Sequence, residues 1–234
     1  MARSVQGAKM EINQLENKLW ICKGKRSAAI AIQLLKEGKV IAIPTDTIYG
    51  LAVDASKSDA IKRLYQIKKR DMNKPLCVCV SDVQHIPNLC VTDHLPTDLI
   101  NTMLPGPYTI VLKRKPALNK NLNPDTDTVG IRVPNHKFIR LLSHIVGPLA
   151  LTSANVSNAK SCLYAEEFQN LWPVLDGIFV TQGSLATSGS RTGSTIVDLS
   201  IPEYYRIVRF GTGAQPLINV LKYFKLQELE SNKV

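Results

Sequence analysis

Five short strings set hydroxyl, amide and cationic side chains at the ends of apolar runs. Pro44-Thr45-Asp46-Thr47-Ile48-Tyr49-Gly50-Leu51 follows the apolar run Val40–Ile43. Ligands of α/β sheets gather at strand ends, and two hydroxyls beside a carboxylate could orient a polar substrate there. The same residues also make capped turns by bonding nearby backbone. In the second string Ile61, Leu64, Tyr65 and Lys68 follow i, i+3, i+4, i+7, one face of a helix. If the helix persists to 68, Lys68 must snorkel outward or reach an anion in a cleft, and Arg70 brings a planar fork to the same place. If it frays by 67, Lys68, Lys69 and Arg70 are all solvated.

The third string is Leu104-Pro105-Gly106-Pro107-Tyr108-Thr109 leading into Val111-Leu112-Lys113-Arg114. A rigid turn enters a strand on which Thr109, Val111 and Lys113 share a face; the alternative is an edge strand with a solvated lysine. The fourth is Leu151-Thr152-Ser153-Ala154-Asn155-Val156-Ser157, whose small polar groups suit a carboxylate or phosphate cradle or a plain turn. The fifth couples Thr192-Gly193-Ser194-Thr195 to Arg206-Ile207-Val208-Arg209-Phe210-Gly211. Arg209 before a glycine turn reads as a phosphate or base contact, or as a surface ion pair.

These strings need a scaffold of short strands and helices. Apolar runs at Val40–Ile43, Leu76–Val80, Thr109–Leu112, Val129–Val133, Pro148–Leu151, Ile178–Val180, Thr195–Val197 and Ile207–Val208 read as strands. Helical periodicity lies near 27–37, 57–69, 95–103, 136–145, 164–171 and 214–225. Strands mixed with helices indicate an α/β (α+β) sheet domain. The 234 residues read as one domain with loose ends at 1–25 and 227–234.

The formal charge is +10. Residues 57–74 carry seven Lys/Arg against two Asp, and residues 113–140 again seven against two, so these two stretches account for the excess. Two solvated faces, or one anion site built from both stretches, fit that distribution. Nucleic acid, phosphorylated molecules or an anionic membrane surface are the partners such charge suits. No apolar run reaches the ~18 residues of a membrane span. Five cysteines, an odd number in a long chain, read as reduced thiols in a cytosolic-type compartment. The P-loop, the dinucleotide fingerprint and the nucleophile elbow are absent. Cys77, Cys79, His85, Cys90 and His94 cluster, but Cys-x-Cys within a strand is poor spacing for structural zinc. They read as buried thiols, with no protein metal site.

Taken in order, the strings resemble the YrdC/Sua5 family: Pro-Thr-Asp-Thr-x-Tyr-Gly, Lys-x-Arg with Lys-Pro-Leu, Leu-Pro-Gly-Pro-x-Thr, Gly-Ile-Arg-Val-Pro, Thr-Ser-Ala-Asn-x-Ser and Gly-Ser-Thr-x-Val-Asp, from about 27 to about 214. Leu118–Pro124 and Glu166–Trp172 look like the animal branch. The resemblance implies a single-domain, YrdC-like twisted open sheet with flanking helices and a basic concave cavity. It divides the chain into a flexible N-terminal segment (1–25), a catalytic domain (26–218) and a C-terminal helix or tail (219–234). The implied activity is synthesis of threonylcarbamoyl-AMP and pyrophosphate from L-threonine, bicarbonate or CO2, and ATP. A KEOPS complex would receive the product for transfer to tRNA adenosine 37.

By family pattern Lys68 and Arg70 are catalytic. Arg70, Lys74, Thr109, Asn155, Ser161 and Arg209 would bind ATP, and Thr47, Lys113, Ser153 and Ser194 threonine. Arg132 would lie close by. Mg2+ would arrive with ATP, and the compartment would be cytoplasmic, with a mitochondrial pool left open. Four departures stand out: Lys69 and Asp71 in the Lys-Gly-Arg-Pro position, Phe210 in place of a proline, Cys79 where several microbial members have histidine, and no counterpart of the longer Sua5 type's extra C-terminal domain. The alternative reading is a non-catalytic module binding double-stranded RNA or tRNA, with little aromatic content near the basic stretches for stacking.

Overall fold

The computed structural model describes residues 18–69, 74–155, 160–181 and 190–229. Its helices are α1 (Lys25–Lys36), α2 (Ser58–Lys68), α3 (Ile86–Leu89), α4 (Leu99–Met103), α5 (Lys137–Val146) and α6 (Ala214–Tyr223). The strands are β1 (Leu19–Ile21), β2 (Ile41–Ile43), β3 (Gly50–Asp54), β4 (Cys77–Cys79), β5 (Tyr108–Lys113), β6 (Thr128–Arg132), β7 (Leu149–Ser153), β8 (Gly177–Val180), β9 (Thr195–Asp198), β10 (Tyr204–Arg209) and β11 (Gln227–Glu228). They form one mixed sheet in the order β1-β8-β2-β3-β7-β4-β6-β5-β9-β10-β11.

Strand alternation splits the apolar residues into two cores. Val40, Ala42, Leu51, Val53, Val78, Ala150 and Ile178 face the core that α2, α4 and α6 complete with Ile61, Leu64, Leu99, Leu217 and Leu221. Ile41, Ile43, Ala52, Cys79, Leu149, Leu151 and Phe179 face the opposite core, filled by Ala28, Ala31 and Leu35 of α1 and Phe138, Ile139 and Leu142 of α5. The helix periodicity matches: α5 buries Phe138, Ile139, Leu142 and Ser143, residues three and four apart.

The second core stops short of the sheet's far half. In β6, β5 and β9 the residues Val129, Ile131, Ile110, Leu112 and Val197 all point to the first core. Their alternating partners, including Gly130, Arg132, Thr109 and Ile196, lie on a face that joins neither α1 nor α5. That stretch of sheet is where a cleft forms.

Several expectations are corrected. Residues 18–25 are not a loose lead: β1 pairs in parallel with β8, Leu19 opposite Ile178. The boundary at 218/219 cuts α6, whose Leu217 and Leu221 are both core residues. Strand β3 had no sequence expectation, because all five residues are buried and show no alternation. The 164–171 helix is a 3-10 run over Ala165–Val174, broken at Phe168 (φ −123°). Helix α4 begins only at Leu99, after Asp98 in a left-handed conformation (φ 65°). Helix α2 does persist to Lys68 and ends there because Lys69 turns left-handed (φ 46°).

Leu142→Ala, at a fully buried α5 position, is expected to cost about 2–5 kcal/mol. Urea denaturation should show a lower midpoint and an unchanged m-value.

Candidate active site

The cleft lies over the uncovered sheet face. It has a volume of about 140 Å3 and is lined by residues of the β2–β3 loop, β4, β5, β6, β7 and β9, together with Arg209. Strand register sets its floor. Cys77 lies opposite Gly130 and Cys79 opposite Arg132; Thr109 lies opposite Ile196; Gly50 lies opposite Ser153. Gly130 is required by close approach, since a Cβ there would come within 2.9 Å of Thr109 Cγ2.

Arg132 is the centre of the hydrogen-bond network. Its side chain is 5% exposed and its Nη2 donates to Asp46 Oδ1 at 2.5 Å. Nη2 also donates to Thr47 Oγ1 at 2.7 Å. Asp46 Oδ2 accepts from the Asn135 backbone N–H at 3.0 Å, which ties the β2–β3 loop to the chain entering α5. Arg132 Nε is buried and makes no hydrogen bond.

The hydroxyls can be assigned directions. Thr45 Oγ1 donates to Ile48 O at 2.8 Å and accepts from the Thr47 backbone N–H at 3.1 Å. Its single proton being spent, the 3.2 Å contact with Thr47 must have Thr47 as donor. Thr47 Oγ1 therefore donates to Thr45, accepts from Arg132, and has one lone pair left. It can receive a ligand N–H or O–H but cannot donate to a ligand.

The opposite wall is built on Ser194. Arg209 Nη2 donates to Ser194 O at 2.7 Å and to Ser194 Oγ at 3.0 Å. Thr109 Oγ1 and Ser194 Oγ are 2.8 Å apart. Gly211 allows this approach, because a Cβ there would stand 2.4 Å from Ser194 O. Burial pulls the Arg209 pKa down; nearby Cys77 opposes the shift and the Arg132 guanidinium adds to it. Two guanidiniums thus face the same small cleft.

Lys68 lies next to the lining residue Ser153, where the end of α2 meets the end of β7. Although 1% exposed as a residue, it extends the apolar stripe of α2 and carries its ammonium to polar partners. Nζ donates to Ser153 O at 2.6 Å, to Asn155 O and to Asn155 Oδ1 at 3.3 Å. Burial of the stem with carbonyl capture of the head resolves the two readings of this helix: its last residue is held, not solvated.

Of the expected site residues, Thr47 stands in the loop that lines the cleft, Thr109, Ser153, Ser194 and Arg209 line it, and Lys68 and Asn155 adjoin it at Ser153. Three others are not brought together with them. Lys113 is exposed at the far end of β5, about 14 Å along the strand from Thr109. Lys74 is exposed and meets the Tyr65 hydroxyl through its carbonyl. Ser161 gives its carbonyl to Arg191 and is not a lining residue. Arg70 lies outside the described residues. The clustered cysteines and histidines disperse: Cys79 enters the α1/α5 core, Cys90 the other core, and His94 Nε2 bonds Leu199 O at 2.8 Å.

Sequence reasoning missed the Asp46–Arg132 pair, Cys77 as a lining residue, and a clasp beside the cleft. In that clasp Glu167 takes both arms of Arg191, at 2.9 and 2.5 Å, and accepts from the backbone N–H groups of Leu163 and Tyr164. Alternation along β6 was the available signal for Arg132, since it shares a face with Gly130.

Asp46→Ala leaves Arg132 buried without its carboxylate and is expected to cost about 3–5 kcal/mol, read from urea denaturation. The Arg191 hydrogen bonds, helped by the two backbone N–H groups, hold the Glu167 carboxyl down at about 2. A folded-state pKa below the unfolded one gives stability at neutral pH that is lost as pH falls. In calorimetry, Glu167→Gln should melt lower than the parent at pH 7, and the gap should close between about pH 4.5 and 2.

Comparison with known proteins agrees with this architecture. The Sua5/YciO/YrdC family model, described as "Telomere recombination", matches residues 33–211. A Bos taurus protein named threonylcarbamoyl-AMP synthase is 44% identical over 200 residues, covering 84% of this chain and 72% of its own. The Homo sapiens protein of that name is 44% identical over 197 residues, covering 82% and 70%. Among solved structures, Sua5 of P. abyssi complexed with L-threonine superposes with a TM-score of 0.77 at 25% identity, over 90% of this chain and 62% of that one. The chain therefore spans less than two thirds of that Sua5. With the family model spanning most of its length, the chain belongs to the Sua5/YciO/YrdC family.

Proposed function

We propose that the chain is an L-threonylcarbamoyladenylate synthase, a nucleotidyltransferase joining L-threonine, bicarbonate or CO2, and ATP into threonylcarbamoyl-AMP and pyrophosphate. The name of its mammalian relatives and the threonine bound by Sua5 support this reading. The observation that carries it is the convergence on one small cleft of two guanidiniums, Arg132 and Arg209, with the hydroxyl side chains of Thr109, Ser153 and Ser194.

That set suits an amino acid. Ser153 and Ser194, with Thr47 bonded to Arg132, would hold threonine, and the guanidiniums would hold its carboxylate or the carbamate formed on its nitrogen. At about 140 Å3 the cleft is below the ~300–1,000 Å3 typical of pockets for drug-sized ligands. A space of that size suits the amino acid, and the triphosphate would lie at the open mouth. There the carbamate oxygen attacks the α-phosphorus and pyrophosphate leaves. Such transfers depend on positioning and on neutralising developing charge. Lys68 beside Ser153, with Arg70, takes that role, and Arg209 faces the same phosphates. Thr109 and Ser194 link the Arg209 wall to the floor, while Ser153 and Asn155 fix Lys68. The roles of Lys74, Lys113 and Ser161 rest on family pattern alone.

Mg2+ would enter bound to the triphosphate and draw charge from its oxygens. A KEOPS-type complex would carry the product to adenosine 37 of tRNA, any direct tRNA contact being weak and secondary. The reaction would run in the cytoplasm, with a mitochondrial pool left open. Among the described residues no helix is long and apolar enough to cross a membrane.

Mass spectrometry of the purified protein with all three substrates should detect threonylcarbamoyl-adenylate, and pyrophosphate release should require all three. Release of equal size without threonine would overturn the proposal. Lys68→Ala should lower turnover by about 10²–10³, the usual effect of removing a donor from a developing charge.

A further inference from the structure

The proposed reaction uses neither Cys77 nor Cys79. Both belong to β4, two residues apart, so their side chains leave the same face of the sheet. Cys77 lies close enough to Cys79 to raise the latter's pKa. Cys77 opens into the cleft, where its Sγ contacts Leu151 O at 3.4 Å. Cys79 lies one step deeper, opposite Arg132 in the register, and is fully buried.

We propose that Cys77 and Cys79 form a chelating dithiol that captures trivalent arsenic, and that the captured arsenic blocks the cleft. Strand β4 is an interior strand between β6 and β7, so the two Cα atoms are held at the strand repeat, about 6.7 Å. That is the upper end of what a disulfide spans, the mode being about 5.5–6 Å. A direct S–S bond would need the strand to contract. One inserted atom lengthens the bridge and removes that demand.

The step balances without a redox partner. Each thiol S–H meets one As–OH; an As–S bond forms, the thiol proton leaves with the hydroxide as water, and arsenic stays trivalent. Two thiols and a dihydroxyarsenical give one bridged adduct and two waters. The neighbouring Cys77 thiol, followed by burial, holds the Cys79 thiol well above its ordinary pKa. Reagents that need a thiolate, such as iodoacetamide, are therefore disfavoured, whereas the arsenical exchange starts from the protonated thiol. The third arsenic substituent must project toward the cleft, the side on which Cys77 opens, in a space of only about 140 Å3.

The test uses phenylarsine oxide on the full chain, kept reduced with a phosphine. Intact mass should show one phenylarsenic per chain, removed by 2,3-dimercaptopropanol and not by the same concentration of 2-mercaptoethanol. Cys77→Ser and Cys79→Ser should each weaken uptake by about 10²-fold, because one-point attachment loses the chelate advantage. Cys22→Ser should keep parental uptake. Parental uptake in both Cys77→Ser and Cys79→Ser would overturn the site. Full uptake with unchanged pyrophosphate release would overturn the blockade. The mass readout does not depend on the proposed synthase activity, so failure of that activity leaves the binding result decisive.

Discussion

The buried guanidinium of Arg132 is the constraint on which the rest of the cleft depends. Taking an arginine and an aspartate out of water costs several kcal/mol per ion, recovered only when geometry and further hydrogen bonds satisfy both. Asp46 meets that demand with one oxygen on Arg132 and the other on the Asn135 N–H. The β2–β3 loop, the end of β6 and the approach to α5 are therefore fixed by one ion pair. Thr47 follows from it, because Arg132 occupies one of its lone pairs and Thr45 takes its proton. What remains of that hydroxyl is one acceptor lone pair, its orientation set by a charge.

The net charge needs a different account from the one the sequence suggests. Several of the cations in the two basic stretches are used elsewhere. Arg63 pairs with Asp176 and Arg140 with Asp82. Arg114 gathers the carbonyls of Asn119, Leu122 and Asn123, and Lys115 caps Pro87. Within the described parts of those stretches Lys68 reaches the lining residue Ser153, and Arg132 forms the floor. Arg209, the second guanidinium of the cleft, lies in neither. The cavity is cationic through a few placed groups, in a setting where low dielectric makes each count for more, and not through the sum of the chain's lysines.

Legibility of the sequence divides along physical lines. Helix α2 was readable because its apolar stripe recurs at Ile61, Leu64 and Tyr65, but the periodicity left two courses for Lys68, and only the left-handed turn at Lys69 shows that the helix reaches it. Strand β3 was not, since a strand buried on both faces carries no alternation. The strings around Thr47, Ser153 and Ser194 announced polar strand ends. Their convergence depends on pairings far apart in sequence, such as Gly50 with Ser153 and Thr109 with Ile196, which no local pattern encodes. Lys113 shows the converse failure. It shares a face with Thr109, as alternation required, yet four residues of strand carry it out of reach.

The location of the cleft follows from incomplete helix cover. Helices α1 and α5 seal one face of the sheet over β8, β2, β3, β7 and β4. The sheet continues through β6, β5 and β9, whose apolar residues on the other face still have α4 and α6 to pack against. An uncovered sheet face of ordinary composition would be an apolar patch in water. Here the register positions on that face are Gly130, Arg132, Thr109 and Ile196, with Ser194 and Arg209 closing the side. Small and polar residues at these positions remove the drive to recruit another helix while leaving room for a ligand. The boundary of the core and the position of the site are thus one decision, made by which residues alternate outward on three strands.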